Sequence, residues 1–149
     1  MSARTILLVE DDPSDIELTR RALMLGRVAN GLVVARDGQE ALDYLFCAGR
    51  YEKRDPAEGP ALVLLDLKLP KVDGLEVLRR VRENERTRRL PVVVLTLSNE
   101  ESDVSASYDL GVNSYIRKPV DFTQFAEAVR QLHLYWLVLN QPPPDARQA

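Results

Sequence analysis

The sequence contains very little cysteine and histidine and carries no excess of positive charge. Cys47 is the only cysteine in 149 residues, so an internal disulfide is excluded and a reducing compartment is expected. His133 is the only histidine, and it lies in an apolar stretch far from any acidic cluster, so we interpret it as structural. The net charge of −3 gives no electrostatic reason to expect binding to nucleic acid.

Long hydrophobic runs are also missing. The apolar run near the amino terminus, Ile6–Val9, has four residues and is followed by acids, which is too short for a signal peptide or a membrane span. A cytoplasmic location is therefore predicted. The hydrophobic content of 45% and the charged content of 29% are typical of globular proteins, and the length fits one domain.

The most informative stretch is the apolar run 61–65, which ends at Asp66. Its length, and the Gly-Pro and Leu-Pro pairs on either side, favour a strand buried on both faces, as in a parallel sheet. Asp66 then lies at the carboxyl end of that strand, where open α/β sheets bind their ligands. The alternative for Asp66 alone is a simple turn-capping residue.

Strand-like and helix-like segments alternate along the whole chain. Strands are predicted at 5–9, 32–35, 61–65, 92–96 and 114–116, and helices at 14–25 (ended by Gly26), 38–46, 74–81, 100–110 and 122–138. The alternation predicts an α/β fold, a single doubly wound domain with a five-stranded parallel sheet. Segment 47–60 is predicted as a surface loop that holds at most a turn of helix. We assign residues 1–139 to the domain and 140–149, with three consecutive prolines, to a flexible tail.

Polar residues follow four of the predicted strands. They are Glu10 and Asp11, then Asp66, Thr96 and Lys118. The carboxyl ends of parallel strands meet at one edge, so these side chains converge. Three carboxylates in one pocket favour a hard divalent cation such as Mg²⁺ (or Mn²⁺), which would hold a phosphoryl group in line with Asp66 as nucleophile.

These motifs as a set resemble the response-regulator receiver domains of two-component signalling. The resemblance covers about residues 5–138 and includes the acids after the first strand, Asp66 with its following Leu-Pro and Asp-Gly, Leu95-Thr96, and Lys118-Pro119. It implies the flavodoxin-like (βα)5 fold and an aspartyl phosphate formed at Asp66. It further implies a metal held by Glu10, Asp11, Asp66 and the backbone carbonyl of Lys68, with Thr96 and Lys118 contacting the phosphate and a cis peptide joining Lys118 to Pro119.

Two positions bear on how such a switch would work here. Thr96 is expected to move toward the phosphate and Tyr115 to swing inward behind it, which would repack the face formed by the fourth helix, fifth strand and fifth helix. The fourth helix has a weak apolar stripe, consistent with loose docking. Tyr115 as an ordinary half-buried aromatic is the alternative. Leu97 is expected to narrow access to the acyl phosphate, and Asp12 to cap the first helix.

The carboxyl-terminal helix is apolar nearly all round from Leu132 onward. A helix buried on one side does not need this, so Leu134, Tyr135 and Val138 are candidate contacts of a homodimer. The alternative is a helix tucked under the loop 47–60.

The motif pattern and this ending resemble the small response regulators that partner bacterial phytochrome histidine kinases. A stand-alone receiver is expected, with such a kinase as partner and no membrane partner. We expect it to catalyse at most its own phosphorylation and dephosphorylation and not to be an enzyme otherwise. The main alternative is a pseudo-receiver that acts as a phosphorylation-independent interaction module. A phosphohydrolase would need an acid where Lys68 stands, and a dinucleotide site would need glycines after the first strand.

Overall fold

The computed structural model describes residues 5–25 and 31–144, and strands and helices alternate along them. The strands are β1 (Ile6–Val9), β2 (Leu32–Ala35), β3 (Leu62–Leu65), β4 (Val92–Thr96) and β5 (Ser114–Arg117). The helices are α1 (Pro13–Leu25), α2 (Gly38–Leu45), α3 (Gly74–Glu83), α4 (Glu101–Asp109) and α5 (Phe122–His133). The predicted five strands and five helices are confirmed, and their ends differ from the prediction by at most a few residues.

The five strands form one parallel sheet in the order β2-β1-β3-β4-β5. β1 lies between β2 and β3, with Ile6 in register with Leu32 on one side and Leu62 on the other. All strands therefore end at the same edge. The order reverses between β1 and β3, and this switch point is where an open α/β sheet forms a crevice.

Alternate residues of the strands enter two separate cores. Leu7 and Val9 of β1 pack in a cluster with α2 and α3, whereas Ile6 and Leu8 pack in a cluster with α1 and α5. Both faces of the sheet are thus covered by helices, which explains why the strands read as continuous apolar runs instead of alternating ones.

Aspartates begin three of the helices. Asp37, Asp73 and Asp121 each accept a hydrogen bond from the backbone N–H three residues later. Asp12 likewise accepts from the N–H of Ser14 at 2.8 Å, so its predicted capping role is confirmed. Each cap satisfies an N–H that has no partner inside the helix and stabilises it by about 1 kcal/mol.

The carboxyl-terminal helix differs from its prediction in winding. After α5 the chain continues as a π-helix over Leu134–Leu139, so the predicted helix at 122–138 is continuous but changes type at Leu134. The loop 47–60 holds a single 3₁₀ turn, Gly49–Tyr51, as expected. Gly26 and residues 145–149 lie outside the described residues, whereas 141–144 have no regular structure. No helix in the described ranges is both long enough and apolar enough to cross a membrane.

Candidate functional site

The polar residues predicted to converge do meet at the carboxyl edge of the sheet. Glu10 follows β1, Asp66 follows β3, Thr96 ends β4 and Lys118 follows β5. All four side chains are buried, with residue exposures between 1% and 8%. A buried polar cluster is costly unless its members satisfy one another, so the contacts between them determine what the site can do.

Lys118 is the cation at the centre of the cluster. Its Nζ donates to Glu10 Oε2 at 2.5 Å, to Asp15 Oδ2 at 2.8 Å and to Asp66 Oδ2 at 3.1 Å. An ammonium has three N–H groups, so each is directed at a different carboxylate. These carboxylates raise the pKa of Lys118 although burial by itself would lower it, and the side chain stays charged.

Asp66 is held through both of its carboxylate oxygens. Oδ1 accepts from the Thr96 hydroxyl at 2.7 Å and from the backbone N–H of Lys68 at 3.3 Å, and Oδ2 faces Lys118. Burial alone would raise the pKa of Asp66, but the Lys118 charge and these hydrogen bonds outweigh it and place the pKa below its usual value. Asp66 is therefore an ionised, oriented carboxylate.

Glu10, Asp11 and Asp66 form an oxygen cluster. One carboxylate oxygen of each lies within 4.8 Å of those of the other two, a spacing that one cation can bridge. Glu10 and Asp66 are buried and Asp11 is exposed. An open groove of about 420 Å³, lined in part by Asp11 and Lys68, leads to this cluster from solvent. Carboxylate and carbonyl oxygens suit Mg²⁺ or Mn²⁺.

Residues 6–130 match the family model described as the response regulator receiver domain. The chain belongs to this family. The match spans all five strands and most of α5, and it therefore includes the site just described. The prediction of a receiver fold from the sequence motifs is confirmed.

Individual relatives point to one branch of this family. The receiver domain is 41% identical over 134 residues to Response regulator Rcp1 of Synechocystis sp., covering 90% of this chain and 89% of Rcp1. A structure of Rcp1 with bound Mn²⁺ superposes with a TM-score of 0.86 at 40% identity, covering 95% of this chain and 99% of that one.

Two phytochrome response regulators of known structure are also similar. The phosphorylated cyanobacterial phytochrome response regulator RcpA has a TM-score of 0.89 at 41% identity, covering 95% of this chain and 99% of RcpA. The bacteriophytochrome response regulator AtBRR has a TM-score of 0.76 at 55% identity, covering 95% of this chain and all of AtBRR. The resemblance to small phytochrome-type regulators seen in the sequence is thus confirmed as a similarity.

The free energy of unfolding of the metal-free receiver domain is expected to decrease as the pH rises from about 5 to about 8. Burial and the Asp66 charge outweigh the contact with Lys118 and raise the pKa of Glu10 to about 7 from 4.5. The folded state thus binds a proton more tightly than the unfolded chain, and this contribution is lost as pH rises through the folded-state pKa. The loss is on the order of 3 kcal/mol.

Glu10→Gln is expected to flatten this pH dependence, because the amide does not ionise and its oxygen still accepts from Lys118. Urea unfolding in a chelating buffer at several pH values measures it, with Glu17→Gln on the exposed face of α1 as the control. The lowered pKa of Asp66 affects a different pH range, because the stabilisation by ionised Asp66 is lost only as the pH falls below about 4. Parallel slopes for wild type and Glu10→Gln would contradict the assignment.

A second set of contacts connects the site to α4. The Tyr115 hydroxyl donates to the Ser98 carbonyl at 2.8 Å, and the Ser98 hydroxyl donates to Asp103 Oδ2 at 2.5 Å. Lys68 Nζ reaches the same Asp103 oxygen at 3.4 Å. Ser107 is the single buried residue of α4, in agreement with the weak apolar stripe of its sequence. The helix is thus held to the site largely by polar contacts.

Three residues of this region were missed in the sequence. Asp15 binds Lys118, and Ser98 and Asp103 link Tyr115 to Lys68. A signal for Asp15 was available, because it lies in the first turn of a helix that starts at the carboxyl edge of the sheet. Ser98 and Asp103 lie in and after a loop whose path cannot be read from residue spacing.

One predicted feature of the site is wrong. The described residues contain no cis peptide bond, so the bond between Lys118 and Pro119 is trans. A trans bond before proline is favoured by about 0.5–1 kcal/mol, and with it Lys118 already reaches its three carboxylates. Leu97 is 63% exposed, and its influence on access to Asp66 stays a prediction.

The candidate dimer residues lie on an exposed surface. Leu134, Tyr135 and Val138 are 41%, 51% and 61% exposed. Trp136 and Leu137 on the other side are half-buried and pack against the core that contains α1 and α5. The helix is therefore partly buried against this core and partly exposed. His133 is half-buried here, and burial lowers its pKa.

Proposed function

We propose that this receiver accepts a phosphoryl group on Asp66 in a Mg²⁺-dependent reaction. The observation that carries the proposal is the geometry of Asp66, an ionised carboxylate with one oxygen on Thr96 and the other on Lys118. An Asp66 oxygen forms the new bond to phosphorus while the bond from phosphorus to the donor's leaving atom breaks. When the donor is a phosphohistidine, its imidazole nitrogen leaves.

The acidic cluster fits a divalent cation. Glu10, Asp11, Asp66 and the backbone carbonyl of Lys68 would hold Mg²⁺ or Mn²⁺, and the ion would neutralise charge on the phosphoryl oxygens. The Mn²⁺-bound form of Rcp1 supports this choice of metal. Lys118 supplies a second positive charge, already aimed at Asp66, and the Thr96 hydroxyl supplies a neutral donor.

The phosphoryl group is sensed through the residues that now contact Asp66. The Thr96 hydroxyl now donates to Asp66 Oδ1. When Asp66 becomes an acyl phosphate, the hydroxyl donates to a phosphoryl oxygen instead. Ser98 lies two residues after Thr96. Its backbone carbonyl accepts a hydrogen bond from the Tyr115 hydroxyl, and its own hydroxyl donates to Asp103. A shift of Thr96 therefore changes how α4 and β5 are held, and the surface of α4, β5 and α5 is the output face.

The phosphoryl donor in this proposal is a sensor histidine kinase of the phytochrome type, acting in the cytoplasm. The phytochrome regulators RcpA and AtBRR, similar over nearly their whole length, support this choice. The receiver acts as a phosphoacceptor and not as an enzyme on a separate substrate. A homodimer through Leu134, Tyr135 and Val138 would cover the exposed face of the carboxyl-terminal helix, and the exposure of these side chains supports it.

The intact mass after incubation with Mg²⁺ and acetyl phosphate tests the proposal. We expect wild type to gain one phosphoryl group, about 80 Da by formula, because Asp66 is ionised and its surroundings accept further negative charge. Asp66→Asn should gain none, since the amide cannot form the acyl phosphate. Chelation of the metal should abolish the gain in wild type.

Two results would contradict the proposal. A gain of mass in Asp66→Asn would place the acceptor on another residue. Asp73→Asn, which changes the next aspartate along the chain, then tests whether Asp73 is that residue. No gain in wild type from acetyl phosphate or from a histidine kinase favours a pseudo-receiver. The same samples on a sizing column test the dimer, and a monomer in both phosphorylation states would exclude it.

A further inference from the structure

A cavity of about 750 Å³ lies at the edge of the sheet opposite Asp66. Its floor includes Pro60 and Ala61, which directly precede β3, and Leu90 and Pro91, which directly precede β4. The phosphorylation site lies at the other ends of these two strands. The cavity is therefore separate from the receiver chemistry, and its volume is that of sites that hold small organic ligands.

Apolar and aromatic side chains form part of the cavity walls. Phe46 from the end of α2 and Trp136 and Leu137 from the π-helix contribute to them, with Leu90 below. The prolines at 142–144 line one side. Such walls bind the apolar body of a ligand, because binding removes apolar surface from water.

The charged residues at the cavity are mostly positive. Arg54, Arg86 and Arg89 line it together with one acid, Glu85. This excess of positive charge stands out on a chain with a net charge of −3. The Arg54 guanidinium is less available to bind a ligand, because it donates to the backbone carbonyls of Tyr44 and Leu45.

Two of the arginines that line the cavity, Arg86 and Arg89, are available to bind a ligand. Both are exposed, and within residues 5–25 and 31–144 neither guanidinium has an ion pair or a hydrogen bond. Arg79 and Arg80 on α3, by contrast, pair with Glu76, and Arg82 donates to backbone carbonyls. Two guanidinium groups without a partner in the described part of the chain thus border the cavity, whereas Arg88, which is exposed and likewise without a side-chain partner there, does not line it.

We propose that this cavity binds an amphipathic organic anion, a molecule with an aromatic or alkyl body and one carboxylate, sulfonate or phosphate group. The body occupies the space between Phe46, Leu90 and Trp136, and the anionic group faces Arg86 and Arg89. Guanidinium groups bind such anions through charge-assisted hydrogen bonds. The ligand would contact the helix whose other side bears the exposed residues Leu134, Tyr135 and Val138.

The probe for the test is 1-anilinonaphthalene-8-sulfonate, and N-phenyl-1-naphthylamine is the matched neutral molecule with the same rings. We expect the sulfonate to bind wild type and to slow alkylation of Cys47 by N-ethylmaleimide, because this sole cysteine lines the cavity. The concentration that gives half protection should equal the dissociation constant from dye fluorescence. The full chain is used throughout.

Charge variants separate the cavity from general electrostatics. Arg86→Ala with Arg89→Ala should weaken binding of the sulfonate about five- to tenfold and leave the neutral dye within about twofold. The matched control is Arg80→Ala with Arg88→Ala, which removes the same charge from exposed arginines that do not line the cavity. Both dyes should bind this control as they bind wild type.

Three results would overturn the proposal. The first is an unprotected Cys47 at saturating sulfonate, which places the dye on another surface. The second is equal weakening in both double variants, which shows attraction by overall charge. The third is equal affinity of wild type for the two dyes, which leaves no role for the arginines.

Discussion

Gly74→Ala is expected to destabilise the receiver domain by about 3 kcal/mol, although it replaces a poor helix former by the best one at the start of α3. A Cβ at position 74 would lie 2.3 Å from the Asp66 carbonyl oxygen and 2.6 Å from the Leu67 Cα. Both neighbours are backbone atoms, so no side-chain rotation relieves the clash. The backbone N–H of Gly74 also donates to the Leu67 carbonyl at 2.9 Å, which fixes this close approach.

Urea unfolding of wild type, Gly74→Ala and Gly59→Ala measures this effect. Gly59 is the matched control because a Cβ there meets no atom within 4 Å, and its change is expected to stay within about 0.5 kcal/mol. The folded fraction of Gly74→Ala should also accept less phosphoryl group, since the backbone that moves is that of Asp66. Equal stability of the two variants would contradict the prediction, because it would show that the backbone after Asp66 moves away from a Cβ at position 74 at little cost in free energy.

Lys118→Met is expected to lower the free energy of unfolding by about 3–5 kcal/mol in metal-free buffer at pH 8. The change removes the cation shared by Glu10, Asp15 and Asp66 and leaves two buried carboxylates side by side. The Lys118 side chain is 5% exposed, so water does not compensate. The loss should be smaller at pH 5, where a proton on Glu10 relieves the repulsion.

Thermal or urea unfolding with and without Mg²⁺ distinguishes this electrostatic cause from lost packing. Added Mg²⁺ should stabilise Lys118→Met more than it stabilises wild type, because the variant has no other positive charge among these carboxylates. Lys68→Met is the control, since the Lys68 side chain is 67% exposed and its pair with Asp103 contributes at most about 1 kcal/mol. Equal losses in the two lysine variants would contradict the central role of Lys118.

The fold and the convergence of the principal polar residues could be predicted from the pattern of residues alone. Short apolar runs end in Glu10, Asp66 and Thr96. Such runs form all their backbone hydrogen bonds and bury both faces only as parallel strands covered by helices. Such strands must bring their carboxyl ends to one edge. This local and periodic information sufficed to place an acidic cluster and a lysine together.

The contacts that these groups make with one another, by contrast, could be seen only in the folded molecule. The ion pair of Lys118 with Asp15 joins residues 103 positions apart, and the contact from Tyr115 to Ser98 depends on the path of a loop. The cavity likewise arises where the end of α2, the loop before β4 and the π-helix meet. Such arrangements follow from the packing of whole elements against each other, which residue spacing along one segment does not encode.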